Sequence, residues 1–96
     1  MPTDTSAILT GVAGRDINAF RHLYQCYYKP LVLFALRYVE EVSAAEDMVE
    51  DVFVAMWENG TAFADKRALE GYLYNAVRNR CVDLLRRQGV HSRYAD

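Results

Sequence analysis

The stretch SAAEDMVEDVFVAMWENG, Ser43 to Gly60, decides the fold. Its apolar residues Ala45, Met48, Val49, Val52, Phe53 and Met56 recur every three or four positions, the period of a helix with one buried face. Ser43, followed three residues later by Glu46, has the form of a capping box. In that motif the hydroxyl accepts from the third helical amide and the carboxylate reaches back to the serine amide. Asn59-Gly60 is a stop signal, because glycine readily takes the left-handed conformation that closes a helix.

Upstream, Asp16 has the chemistry of an N-cap, and Ile17, Phe20, Leu23, Tyr24 and Tyr27 follow at helical spacing. Pro30 lacks an amide donor and disfavours helix at Lys29. A kink or a break is therefore expected there, with Leu31, Phe34, Ala35 and Tyr38 continuing the apolar stripe beyond it. Downstream, a helix is predicted from about Ala68 to Gln88, ending before Gly89, with Leu69, Tyr72, Leu73, Ala76, Val77 and Leu84 inward. Strand-type alternation is absent. The expected fold class is all-α: a compact bundle of about four helices with a kink or break at Pro30.

The chain has 96 residues, 52% hydrophobic and 25% charged, the profile of one globular domain. Its net charge of −2 conceals strong segregation. Residues 39–65 carry eight acids and no base, whereas residues 66–96 carry seven bases and three acids. Two oppositely charged partners would suit such an arrangement. No apolar run approaches the roughly 20 residues of a membrane span. The first ten residues lack the basic start and apolar core of a signal peptide. Cys26 and Cys81 have no metal-ligand spacing and are expected to be free, mostly buried thiols of a reducing cytoplasm. His22 and His91 lie far apart without neighbouring ligand types, so surface or capping roles are expected for them. With no Gly-rich phosphate loop, no Glu-x-x-His pair and no nucleophile beside a histidine, no enzyme, cofactor or metal site is expected.

Two faces remain that chemistry could use. Asp47, Glu50, Asp51 and Glu58 lie off the core stripe of their helix, with Val54 in the same row. The row reads either as a solvated face or as a docking surface. In the second case the acids steer a basic partner helix, and Val54 with the edge of Trp57 forms the apolar anchor. On the last helix Asn75, Arg78, Asn79, Arg86 and, on a flank, Arg80 supply phosphate neutralisation and amide readout of base edges. Before it lies the loop Gly60 to Arg67 (GTAFADKR). Its Phe63 either walls an unstacked base or packs back onto the core, and Lys66 and Arg67 either contact phosphate or stay solvated. Tyr72 is placed in the core stripe and Tyr74 points elsewhere; either could stack on a base, with core packing favoured for Tyr72.

DINAFRHLYQCYYKPLVLFALRY at 16–38, AEDMVEDVFVAMWE at 45–58 and LEGYLYNAVRNRCVDLLRR at 69–87 together resemble the promoter-melting domain of bacterial extracytoplasmic-function sigma factors, in the sigma-seventy family. The resemblance spans about residues 15–88. It implies that the acidic helix docks on the β′ clamp helices of RNA polymerase through Asp47, Glu50 and Asp51, with Val54 and Trp57 as neighbours. It implies that the loop at 60–67, with Gly60, Phe63, Lys66 and Arg67, captures a flipped non-template base of the promoter minus-ten element. The following helix would contact the edge and backbone of that element through Asn75, Arg78, Asn79 and Arg80. An anti-sigma protein is a further implied partner. Tyr72 stands where the family often has Trp, Glu50 where it often has Gln, and Asn75 where a basic residue is common. The chain reads as opening with a flexible segment at 1–14, and the family leads one to expect, at 89–96, the start of a linker to a helix-turn-helix domain beyond. From the residues alone, a different reading stands beside this one: a helical interaction module whose acidic face binds a basic partner and which never touches nucleic acid.

Overall fold

The computed structural model describes residues 16–60 and 62–89. Three helices follow one another, α1 (Ile17–Ala35), α2 (Val42–Asn59) and α3 (Lys66–Arg87), and no strand occurs among the described residues. The all-α class holds, and among the described residues there are three helices rather than about four. Pro30 neither breaks α1 nor starts a new helix, for α1 runs unbroken through it. The ring removes the one intrahelical bond that the carbonyl of Cys26 would accept. Both Pro30 and Cys26 are exposed, so water can serve that carbonyl. Leu31 and Ala35, inaccessible to solvent, hold the last turns of α1 on the core. The expected segment at 1–14, His91 and, apart from Gly89, the linker at 89–96 lie outside the described residues.

The helix ends follow local chemistry with one exception. Asp16 caps α1, its Oδ1 accepting from the amides of Asn18 (2.9 Å) and Ala19 (3.4 Å). Gly60 closes α2 in the left-handed conformation at φ 59°, its amide donating to the Met56 carbonyl at 3.1 Å. The start of α2 departs from the expected capping box. Helical geometry begins at Val42, the capping position is Glu41, and no side chain bonds the free amides there. Residues 40–43 are all exposed, so water can serve those amides. The buried Val39 and Ala45 on either side set where the chain enters the helix.

α1 lies against α2 through aromatic rings. Phe20 meets Trp57 and Phe53 edge-on, with centroids 5.0 and 6.0 Å away, and Tyr24 sits 4.9 Å from Phe53. α1 meets α3 through Phe34, edge-on to Tyr74 at 5.0 Å. Leu23, Phe53, Met56, Leu73 and Val77 fill the centre. The buried row of α3 is Leu69, Leu73, Val77, Cys81 and Leu85, one residue in every four. That is the i+4 ridge, which winds slowly around the helix and packs into the grooves of its neighbours. It shifts the expected stripe, since Leu84 is only half-buried while Leu85 and Cys81 are buried. Ile17 and Met48 depart too, being 54% exposed and half-buried respectively.

Candidate functional site

On α2 the residues Asp47, Glu50, Asp51 and Val54 are all exposed, Val54 at 53%. Their three- and four-residue spacing puts them in one row on the helix surface. The ion pairs among the described residues, Lys66–Glu70 and Arg87–Asp83, both lie within α3, so Asp47, Glu50 and Asp51 have no cationic partner there. Trp57 is half-buried with its ring against Phe20, which leaves part of it beside the row. The inner flank of the row meets α1. Tyr24 and Tyr28 stack at 4.9 Å, and both face Glu46 and Glu50. Burial first, then these carboxylates, raises both phenols above their ordinary range, Tyr28 to about 12. The surface thus presents carboxylates outward, an apolar centre, and a tyrosine pair behind Glu50.

The connection to α3 is shorter than expected. Lys66 and Arg67 form the first turn of the helix rather than the end of a loop. The reason is Asp65, whose carboxylate accepts from the Ala68 amide at 2.8 Å and caps α3 two residues ahead of the predicted start. An aspartate just before a helical stripe is the local signal for this earlier start. Phe63 is half-buried, packed against the core and 5.3 Å from the ring of Tyr72. Tyr72 is accordingly a half-buried support for the loop.

Along α3, Asn75 and Asn79 stand exposed on the side opposite the buried ridge, while Arg78 and Arg80 are half-buried on its flanks. Arg78, Asn79, Arg80 and Arg86 border one open, shallow depression with Val82 and Asp83. Asp83 pairs with Arg87, one turn on along the same helix, at 3.2 Å. Tyr74 does not point away from the core: it is half-buried and edge-on to Phe34. The aromatic cluster there also holds Arg37, whose guanidinium lies 5.7 Å from the Phe34 ring centre.

One contact had no counterpart in the sequence reading. Tyr27 Oη of α1 donates to Glu70 Oε2 in the first turns of α3, at 2.7 Å. Burial and this bond to a carboxylate both hold the Tyr27 phenol well above its ordinary range. No local signal could reveal it, since 43 residues separate the partners. Cys26 is exposed, against expectation, and Cys81 is buried; both are free. Burial pushes the Cys81 thiol up to about 11. Among the described residues no group of three or more His, Cys, Asp or Glu side chains is placed to hold a metal ion. None of their helices is long and apolar enough to cross a membrane.

The sigma-70 region 2 family matches residues 23–90, most of the chain. A curated relative, the ECF RNA polymerase sigma factor RpoE of Cereibacter sphaeroides, is 29% identical over 87 residues, covering 88% of this chain and 48% of the relative. The chain thus spans about half the length of the curated relative it matches. No solved structure matches it. The matched segment contains α2, α3, the connection between them and most of α1, so the acidic row and the Arg/Asn surface both fall inside it, and the chain belongs to the sigma-70 region 2 family.

Proposed function

We propose that this domain is the part of an extracytoplasmic-function sigma factor that joins RNA polymerase to the promoter minus-ten element. The observation that carries the reading is the division of charge between two helices of a sigma-70 region 2 chain. α2 exposes Asp47, Glu50 and Asp51 without cationic partners among the described residues, and α3 exposes asparagines flanked by arginines. In this reading the α2 row docks on the β′ clamp helices, with Val54 and the edge of Trp57 as the apolar centre and the acids steering association. Gly60, Phe63, Lys66 and Arg67 border the place where a flipped non-template base is held. Asn75, Arg78, Asn79 and Arg80 contact the edge and backbone of the opened element, and Tyr74 supports them from its seat on Phe34.

The work is binding rather than bond-making. Trapping an unstacked base offsets an unpairing cost of about a few kcal/mol, which the domain can meet only while polymerase holds it at the promoter. Its place of action is accordingly the bacterial cytoplasm, where polymerase and promoter meet.

Reversing Asp47, Glu50 and Asp51 to lysine tests the docking half. Capture of β′ clamp helices should fall at least tenfold, equivalent to about 1.4 kcal/mol, while the helical circular dichroism stays unchanged. Undiminished capture removes α2 as the polymerase-facing element. An interaction module without a nucleic-acid role would lose capture in the same way. It would show no salt-dependent binding of single-stranded minus-ten oligonucleotide when complexed with polymerase.

A further inference from the structure

The connection between α2 and α3 is tied to α3 at two points. Phe63 leans on Tyr72 of α3, and the Asp65 carboxylate caps the same helix. The first turns of α3 are in turn tied to α1 by the bond from Tyr27 to Glu70. The oxygen that receives this bond, Glu70 Oε2, is also the one that faces Lys66 Nζ, at 3.9 Å. A single carboxylate oxygen therefore stands between a fixed phenol on α1 and the ammonium of Lys66.

We propose that Tyr27 and Glu70 are positioning residues for promoter opening: Tyr27 holds the Glu70 carboxylate, and that carboxylate restrains the Lys66 ammonium at the first turn of α3. The inference rests on the reading of this surface as the minus-ten contact and names two residues behind it. As a source of stability the Lys66–Glu70 pair contributes little, because both side chains are solvated, 63% and 41% exposed. Its geometric consequence is larger. A lysine side chain has four rotatable carbons and no preferred direction, so an anchored carboxylate one turn away decides where its charge dwells. Glu70 can serve because Tyr27 fixes it. The neutral phenol, held well above its ordinary range, remains a donor throughout the physiological range.

Simple electrostatics and positioning predict opposite signs. Removing an acid from a DNA-facing surface should strengthen binding to a polyanion. If Glu70 positions Lys66, removing it should instead slow opening. The experiment reconstitutes RNA polymerase with the intact protein and follows promoter opening through 2-aminopurine fluorescence in the minus-ten element. Wild type is compared with Glu70→Ala, Glu70→Gln, Tyr27→Phe, Lys66→Ala and the double variant Glu70→Ala/Lys66→Ala.

Opening should slow about twofold in Glu70→Ala, the worth of one exposed pair a turn apart, more in Lys66→Ala, and no further in the double variant than in Lys66→Ala. Tyr27→Phe should slow it less. Glu70→Gln, which keeps an acceptor for Tyr27 but loses the charge facing Lys66, should fall between wild type and alanine. Polymerase capture should stay unchanged in all of them. Opening that is unchanged or faster in Glu70→Ala, or a loss that adds fully to that of Lys66→Ala, overturns the proposal. Arg78→Ala separates the two levels. If it slows opening while Glu70→Ala does not, only the positioning role fails; if neither it nor Lys66→Ala has an effect, the reading of the surface itself fails. Melting temperatures measured alongside identify any variant whose loss comes from unfolding, and Glu70→Gln and Tyr27→Phe, which preserve shape, then carry the decision.

Discussion

Tyr27 and Cys81 show what single buried groups do here. Each ionises less readily in the folded chain than in the unfolded one, Tyr27 through burial and its bond to Glu70, Cys81 through burial alone. A folded-state pKa above the unfolded value contributes stability that is complete below the unfolded pKa and is lost as pH rises through the folded one. Stability should therefore be level at neutral pH and should fall from about pH 9, first through Cys81 and then through Tyr24, Tyr27 and Tyr28. Tyr27→Phe should lower stability by about 1 kcal/mol at pH 7, the net worth of one hydrogen bond, and should flatten the loss above pH 10. Urea titrations at pH 7 to 11 check this; an alkaline limb as steep in the variant as in wild type would contradict it.

At the scale of the element, α1 carries a proline without breaking, and the exposure of its surroundings explains why. In a helix interior proline is about 3 kcal/mol less favourable than alanine, offset in part by about 0.4–1 kcal/mol because it restricts the unfolded chain. Pro30→Ala should thus stabilise the domain by about 2 kcal/mol, read as a rise in the denaturation midpoint. A drop would mean that the ring supplies packing that exposure does not reveal. The capping of α3 by Asp65 is the other decision made at this scale, for it brings Lys66 and Arg67 into a helical turn and fixes their spacing from Glu70.

For the whole molecule, the segregated charges predict how binding responds to salt. Each phosphate neutralised on a single strand contributes a slope of about −0.7 in log K against log salt. Replacing Lys66, Arg67, Arg78 and Arg80 together by alanine should reduce the slope for minus-ten DNA bound to the polymerase complex by about 3. Titrating labelled oligonucleotide between 50 and 300 mM salt measures it, and an unchanged slope would remove α3 as the phosphate-facing helix.

The sequence alone determined the helical class, the caps at Asp16 and Gly60, the inward faces of Val49, Val52, Phe53, Leu69, Leu73 and Val77, and the separation of acidic from basic segments. These are local properties: periodicity, a capping carboxylate, the conformational freedom of glycine and the order of charges along the chain. Tertiary structure decided the rest. Whether Pro30 breaks a helix depends on whether the Cys26 carbonyl reaches water. The choice of Leu85 over Leu84 follows from the ridge along which α3 packs. The seats of Phe63 on Tyr72 and of Tyr74 on Phe34, and the grip of Tyr27 on Glu70, require side chains from separate elements to meet, which spacing within any one helix does not encode.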